Sequence, residues 1–140
     1  MNIRFYNARI LTMEEGKDIF QGEVRIRDER IEYVGEEKRD EAVPSFDEEI
    51  DCGGNLLMPG FKDAHTHSGM TLLRSYADDL PLDKWLNQQV FPIEAKMTGE
   101  DVYELTKLAV LEYLTSGITA VFEMYLTPDT IAKAFDEMGM

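Results

Sequence analysis

The chain has 140 residues, 44% of them hydrophobic, and 28 acidic against 14 basic side chains give a formal net charge of −14. This composition suits one ordinary folded domain, or parts of two small ones, and excludes an intrinsically disordered segment. The acidic balance excludes nucleic acid and anionic lipid as general partners, no apolar run reaches the length of a membrane span, and a single cysteine, Cys52, excludes an internal disulfide framework.

The N-terminus, MNIRFYNARILTM, alternates like a strand and has no signal-peptide core, which predicts a cytoplasmic location. Ile3, Phe5, Ala8 and Ile10 fall on repeating faces of this strand, with an irregularity at Asn7-Ala8-Arg9. Residues 13–18 contain Gly16 and read as a turn. Residues 19–27 form a second strand with Val24 and Ile26 inward and Glu23, Arg25 and Arg27 outward, and residues 30–34 pair back in a hairpin. The charged stretch 36–49, with Pro44, reads as a mobile surface loop. A short strand over residues 49–52 follows, then a Gly53-Gly54-Asn55 turn; Cys52 reads as a small packing residue, not a nucleophile. Residues 1–57 are therefore a β-rich domain, part of a small antiparallel sheet or sandwich.

The pattern changes after residue 57. Residues 61–66 read as a strand, and 68–79 as a loop with a helical turn over 70–75. Residues 81–90 carry Leu82, Trp85, Leu86 and Val90 at helical spacing, and the helix is expected to break near Pro92. Thr98-Gly99-Glu100-Asp101 resembles a capping box, and the helix behind it buries Val102, Leu105, Leu108, Ala109, Leu111 and Leu114 before stopping at Gly117. Residues 118–125, ITAVFEMY, read as a strand buried on both faces, as in a parallel sheet. Thr127 caps a last helix with Pro128 in its first turn and an apolar stripe of Ile131, Ala134, Phe135 and Met138. Residues 58–140 are thus a β-α-β-α run of the kind that builds an α/β barrel or a doubly wound sheet.

The chemistry gathers at His65-Thr66-His67, which holds the only two histidines of the sequence. On an extended segment, side chains two apart share a face, so the two imidazoles leave one strand end together and suit a single divalent metal. A solvated loop fits the same tripeptide. The expected position, the C-terminal end of a parallel strand, favours a site, because the catalytic loops of (β/α) barrels gather there. Asp63 shares the face and reads as a structural support. Asp78 and Asp79 are adjacent and point apart, so they do not make a catalytic pair; Arg74 is expected to pair with them.

PGFKDAHTH, LLRSYADDLPL, Trp85-Leu86 and FPIEAK together resemble the N-terminal part of the amidohydrolase superfamily, and more narrowly its S-adenosylhomocysteine/5′-methylthioadenosine deaminases and chlorohydrolase-like members. TSGITAVFEMY is similar to that family's second barrel strand. The resemblance implies an α/β fold: an N-terminal β-sandwich portion followed by the first two β/α units of an incomplete TIM-type (β/α) barrel. It implies His65 and His67 as the first two metal ligands, Glu94 as a carboxylate hydrogen-bonded to ribose hydroxyls, and Trp85 as a wall of the substrate pocket. Read without it, Glu94 is a solvated carboxylate at a helix end and Trp85 a core residue.

The resemblance further implies a divalent cofactor, zinc by default with iron or manganese as alternatives, which lowers the pKa of its water to about 7. The substrate is then a small nucleoside or aminated heterocycle. The family's remaining ligands and its acid/base lie on later strands, so no catalytic residue is assigned within these 140 residues, and the chain reads as the N-terminal fragment of such an enzyme, inactive alone. The competing reading is a truncated, self-associating module without catalysis. Either predicts a homo-oligomer or association with the rest of a barrel, since a partial barrel leaves strand edges and apolar helix faces uncovered.

Overall fold

The computed structural model describes residues 1–38 and 45–140, so the part of the predicted 36–49 loop that falls on residues 39–44, Pro44 included, lies outside the described residues. The chain divides into two compact units, Met1–Pro59 and Gly60–Met140.

The first unit is a sheet built on strand β1 (Asn2–Ile10). β1 pairs antiparallel with β2 (Phe20–Arg27), which pairs antiparallel with β3 (Arg30–Gly35). On its other edge β1 pairs with β4 (Glu48–Asp51) and β5 (Leu56–Leu57), both in parallel. The sheet is therefore mixed, not the antiparallel one that the hairpin pattern predicts. The reason is the connection: the chain after β3 returns to β1 by a crossover instead of a tight turn.

The irregularity expected near Asn7 is a bulge. The β1–β2 register shifts between Phe5 and Ala8, and Asn7 sits at φ 54°. Its amide, displaced from the ladder, donates to Glu37 Oε1 at 2.7 Å, so the bulge leaves no orphan donor there. The core of this unit is Ala8, Ile10 and Val24, with Phe5, Ile26 and Leu57 packed against it. Cys52 also packs there, and burial, followed by the neighbouring Asp51 charge, pushes its thiol pKa up, away from the reactive thiolate.

The alternation that puts Glu23 and Arg25 outward is overturned. Glu23 is 0% exposed and Arg25 is buried. Arg4 Nε reaches Glu23 Oε2 at 2.6 Å and Arg25 Nε reaches Glu23 Oε1 at 2.7 Å, while Arg4 Nη1 also meets Glu49 Oε2 at 3.0 Å. Tyr33 and Phe46 lie against the Arg25 guanidinium, at 5.2 and 5.7 Å. The second face of β2 is thus closed by an ion cluster roofed with aromatic rings. A period-two pattern shows which residues share a face, but not whether that face is wet.

The second unit opens with β6 (Phe61–Thr66), which pairs in parallel with β7 (Ile118–Glu123). A 3₁₀ turn, Ser68–Leu73, follows β6. The predicted 81–90 helix does not break at Pro92. It runs as α1 (Leu82–Trp85), a π turn (Leu86–Val90) and α2 (Phe91–Glu94). The Phe91 amide bonds to Leu86 O, one residue further back than in an α-helix, and this widened turn precedes the proline that has no amide to give.

Helix α3 (Gly99–Thr115) starts at a capping box: Thr98 Oγ1 accepts the Asp101 amide at 3.2 Å, and Asp101 Oδ2 accepts the Thr98 amide at 2.8 Å. Its buried residues are Val102, Thr106, Ala109 and Val110, whereas Leu108, Leu111 and Leu114, predicted inside, are exposed. β7 differs in the same way: Phe122 is 70% exposed, so the strand is not buried on both faces among the described residues. Helix α4 (Pro128–Glu137) buries Ile131 and Ala134 as its stripe predicts. Thr127 does not cap it; the residue is left-handed (φ 52°), and its hydroxyl donates to Leu126 O at 2.8 Å. Among the described residues, no helix is long and apolar enough to cross a membrane.

Candidate functional site

β6 carries Asp63 and His65 on one side of its pleat, and His67 follows the strand as the residue that opens the 3₁₀ turn. The two imidazole rings converge: their centroids are 4.9 Å apart and their planes 76° to each other. Asp63 Oδ1 accepts the His65 amide at 3.1 Å, which ties the carboxylate to the backbone of its own strand.

His67 is held from β7. Its Nδ1 is hydrogen-bonded to the Met124 carbonyl oxygen, and the Met124 amide donates to Thr66 O at 3.2 Å. A carbonyl only accepts, so Nδ1 carries the proton, and in the neutral form of such a ring the lone pair lies on Nε2. That is the arrangement in which a histidine can serve a cation, with the other nitrogen fixed by an oxygen behind it. Ser68, the next residue, is 1% exposed; its hydroxyl bonds to the Tyr113 hydroxyl at 3.0 Å, and the same Tyr113 oxygen bonds to Thr66.

Trp85 and His67 line one cavity of about 320 Å³, together with Tyr113 and Arg74. Arg74 does not pair with Asp78 or Asp79 as predicted. It makes a bidentate ion pair with Glu112 on α3, Nη1 at 2.8 Å and Nη2 at 2.6 Å. The fork of a guanidinium matches a carboxylate facing it across a helix, a partner that sequence proximity does not reveal.

Glu94, at the end of α2, neighbours the Tyr125 hydroxyl. The Tyr125 ring lies 6.1 Å from the His67 ring, and its hydroxyl points to Met97 Sδ at 3.7 Å. Burial, and then hydrogen bonding to and charge from the Glu94 carboxylate, hold the Tyr125 phenol well above its ordinary pKa, so it stays neutral. Gly69 makes room for this ring: a Cβ there would stand 2.5 Å from Tyr125 Cε1.

The structure thus brings His65 and His67 together at one end of the β6–β7 pair, with Trp85 on a cavity that includes His67 and Glu94 beside the Tyr125 hydroxyl. Among the described residues no group of three or more His, Cys, Asp or Glu is placed to hold a metal ion. Two imidazoles are half of a tetrahedral shell, and a donor set of this type suits zinc or another borderline divalent ion. The parts that sequence reasoning missed are Glu123, the Met124 carbonyl and Tyr125. A signal was present, because FEMY ends the strand expected to lie beside the one carrying the histidines.

Residues 56–140 match the model of the amidohydrolase family. The full chain is 42% identical to a 5-methylthioadenosine/S-adenosylhomocysteine deaminase of Acetivibrio thermocellus, over 100% of this chain and 33% of the relative. It is 43% identical to a 5′-deoxyadenosine deaminase of Methanosarcina mazei, over 96% of this chain and 30% of that protein. Its mixed α/β fold superposes with a TM-score of 0.83 on a zinc-bound adenosine deaminase from Xanthomonas campestris, at 33% identity, covering 96% of this chain and 31% of that one. The chain spans about a third of the length of these relatives. With the family's model matched over more than half of its residues, the chain belongs to the amidohydrolase family.

Proposed function

We propose that this chain supplies a β-sandwich portion and the first two β/α units of a (β/α)-barrel hydrolase, and that its two histidines are the first half of a divalent-metal centre for hydrolytic deamination of adenosine-type substrates. The observation that carries the reading is the convergence of His65 and His67 at the C-terminal end of β6, with the His67 tautomer set by Met124 O. The names of the relatives, deaminases of 5-methylthioadenosine, S-adenosylhomocysteine and 5′-deoxyadenosine, support the substrate class, and the zinc bound by the Xanthomonas protein supports the cofactor.

In this reading His65 and His67 present neutral imidazole nitrogens to the ion. When bound, the ion supplies activated water at neutral pH. Glu94, held beside Tyr125, accepts hydrogen bonds from ribose hydroxyls and so aligns the nucleoside. Trp85 forms a wall beside His67. The net reaction replaces the amino group of the purine by the oxygen of water and releases ammonia. The remaining ligands and the acid/base come from strands beyond these two units, whose packing also covers Phe61, Phe122 and the outer leucines of α3.

The test is ammonia release from 5′-methylthioadenosine, S-adenosylhomocysteine and 5′-deoxyadenosine with added Zn²⁺, for the 140-residue chain and for any longer product of its gene. Activity confined to the longer product, and abolished there by His65→Ala or His67→Ala, is the expected result. Full activity in a double histidine variant would end the reading. The exposed apolar residues favour a second reading, a self-associating module without catalysis; sedimentation of the 140-residue chain as a compact monomer at all concentrations would remove it.

A further inference from the structure

β7 ends in Glu123, and the two residues after it, Met124 and Tyr125, complete a wall beside the end of β6. Three links join this wall to three consecutive residues on the β6 side. The Met124 amide donates to Thr66 O, His67 Nδ1–H donates to Met124 O, and the Ser68 amide donates to Glu123 Oε2 at 2.8 Å. Ser68 begins the 3₁₀ turn, where an amide has no partner within the turn, and no side chain of His67 caps it. The Glu123 carboxylate takes that place.

The other oxygen, Glu123 Oε1, is buried without a hydrogen-bond partner among the described residues. For packing alone this is a poor choice of side chain, since a glutamine would offer the same acceptor with less loss of hydration. What the negative charge adds is a stronger grip on the amide that it accepts. That amide belongs to the peptide bond between His67 and Ser68, so it governs how the His67 backbone turns out of the strand.

We propose that Glu123 is a positioning residue for His67: it clamps the His67–Ser68 peptide so that the ring keeps Nδ1–H on the Met124 carbonyl and presents Nε2 outward. Only what Nε2 then binds rests on the metal-centre reading above.

The test has two readouts on the 140-residue chain, with thermal melting as a control for folding. ¹⁵N-edited NMR without metal reports the His67 tautomer and the protection of its Nδ1 proton. Titration with Zn²⁺ alone reports affinity. Glu123→Ala is expected to lose the protected Nδ1 proton and to weaken Zn²⁺ binding about 10- to 100-fold at unchanged melting temperature. Glu123→Asp, which withdraws the carboxylate by one methylene, is expected to do the same should the alanine variant fail to fold, and Glu123→Gln, which keeps the acceptor without the charge, to lower the protection of the Nδ1 proton by less than the alanine variant does. An unchanged Nδ1 signal in both the alanine and the aspartate variants would overturn the proposal. If His67→Ala bound Zn²⁺ as tightly as the unsubstituted chain, the metal-centre reading would fall instead, and the Nδ1 signal alone would still support or overturn the role of Glu123.

Discussion

The two units of this chain invert the usual distribution of polar and apolar side chains in opposite directions. The first buries charge: Glu23 is fully enclosed between Arg4 and Arg25. The second exposes hydrocarbon: Phe61 and Phe122 on the β6–β7 pair, and Leu108, Leu111 and Leu114 on α3. The first sheet closes its second face by matching ions and aromatic rings, whereas the second unit leaves these apolar faces open while joining Ser68 to Glu123 and Tyr113 at the strand ends that carry the histidines. Burying a charge costs hydration that Arg4 and Arg25 must offset, while exposed apolar surface of this kind marks faces suited to being covered.

The largest expected effect that could break this contrast is at Glu23. Glu23→Ala leaves two guanidinium groups without their shared carboxylate and is expected to destabilise the first unit by about 3–5 kcal/mol, read by urea unfolding followed through β1 and β2 amide signals. A loss of under about 1 kcal/mol would show that the cluster is solvated, as exposed pairs are. Next is α3, where the contrast runs between neighbours. Val110→Ala, at a 0% exposed position, should cost about 2 kcal/mol, while Leu111→Ala, 52% exposed, should cost less than about 0.5. Equal losses would restore the buried face predicted from periodicity. Thr98→Ala, which removes the capping box, is expected to cost about 1 kcal/mol in the second unit alone.

The smallest effect is a pH dependence confined to the first unit. Burial raises the Glu23 pKa, but hydrogen bonds and charge from Arg4 and Arg25 outweigh it and leave the carboxyl below its ordinary 4.5. A depressed carboxylate contributes its full stability above the ordinary glutamate range and loses it as pH falls through the lower folded value. Acidification from pH 5 towards about 3 should therefore weaken β1–β2 protection, and Glu23→Gln should flatten that limb.

Much of this was legible in the sequence, for local reasons. Strand and helix positions, the bulge near Asn7, the Thr98–Asp101 cap and the stop at Gly117 follow from periodicity and from residues that cap or break elements. The His65–His67 face followed from the two-residue repeat of a strand. What could not be read depends on partners far along the chain. Arg74 finds Glu112, Glu23 finds Arg4, and Glu123 finds the Ser68 amide, and none of these pairs has a spacing that any local rule marks. The helix across Pro92 was missed because a π turn absorbs the proline, and periodicity at 3.6 residues per turn does not register it.

In the proposed metal centre, His65 and His67 hold one ion between them. X-ray absorption at the zinc edge, on the chain loaded with one equivalent of Zn²⁺, tests it most directly. Imidazole scattering from two histidines, lost in His65→Ala/His67→Ala, is the predicted result. The same spectrum from the chain and from the double variant would contradict it.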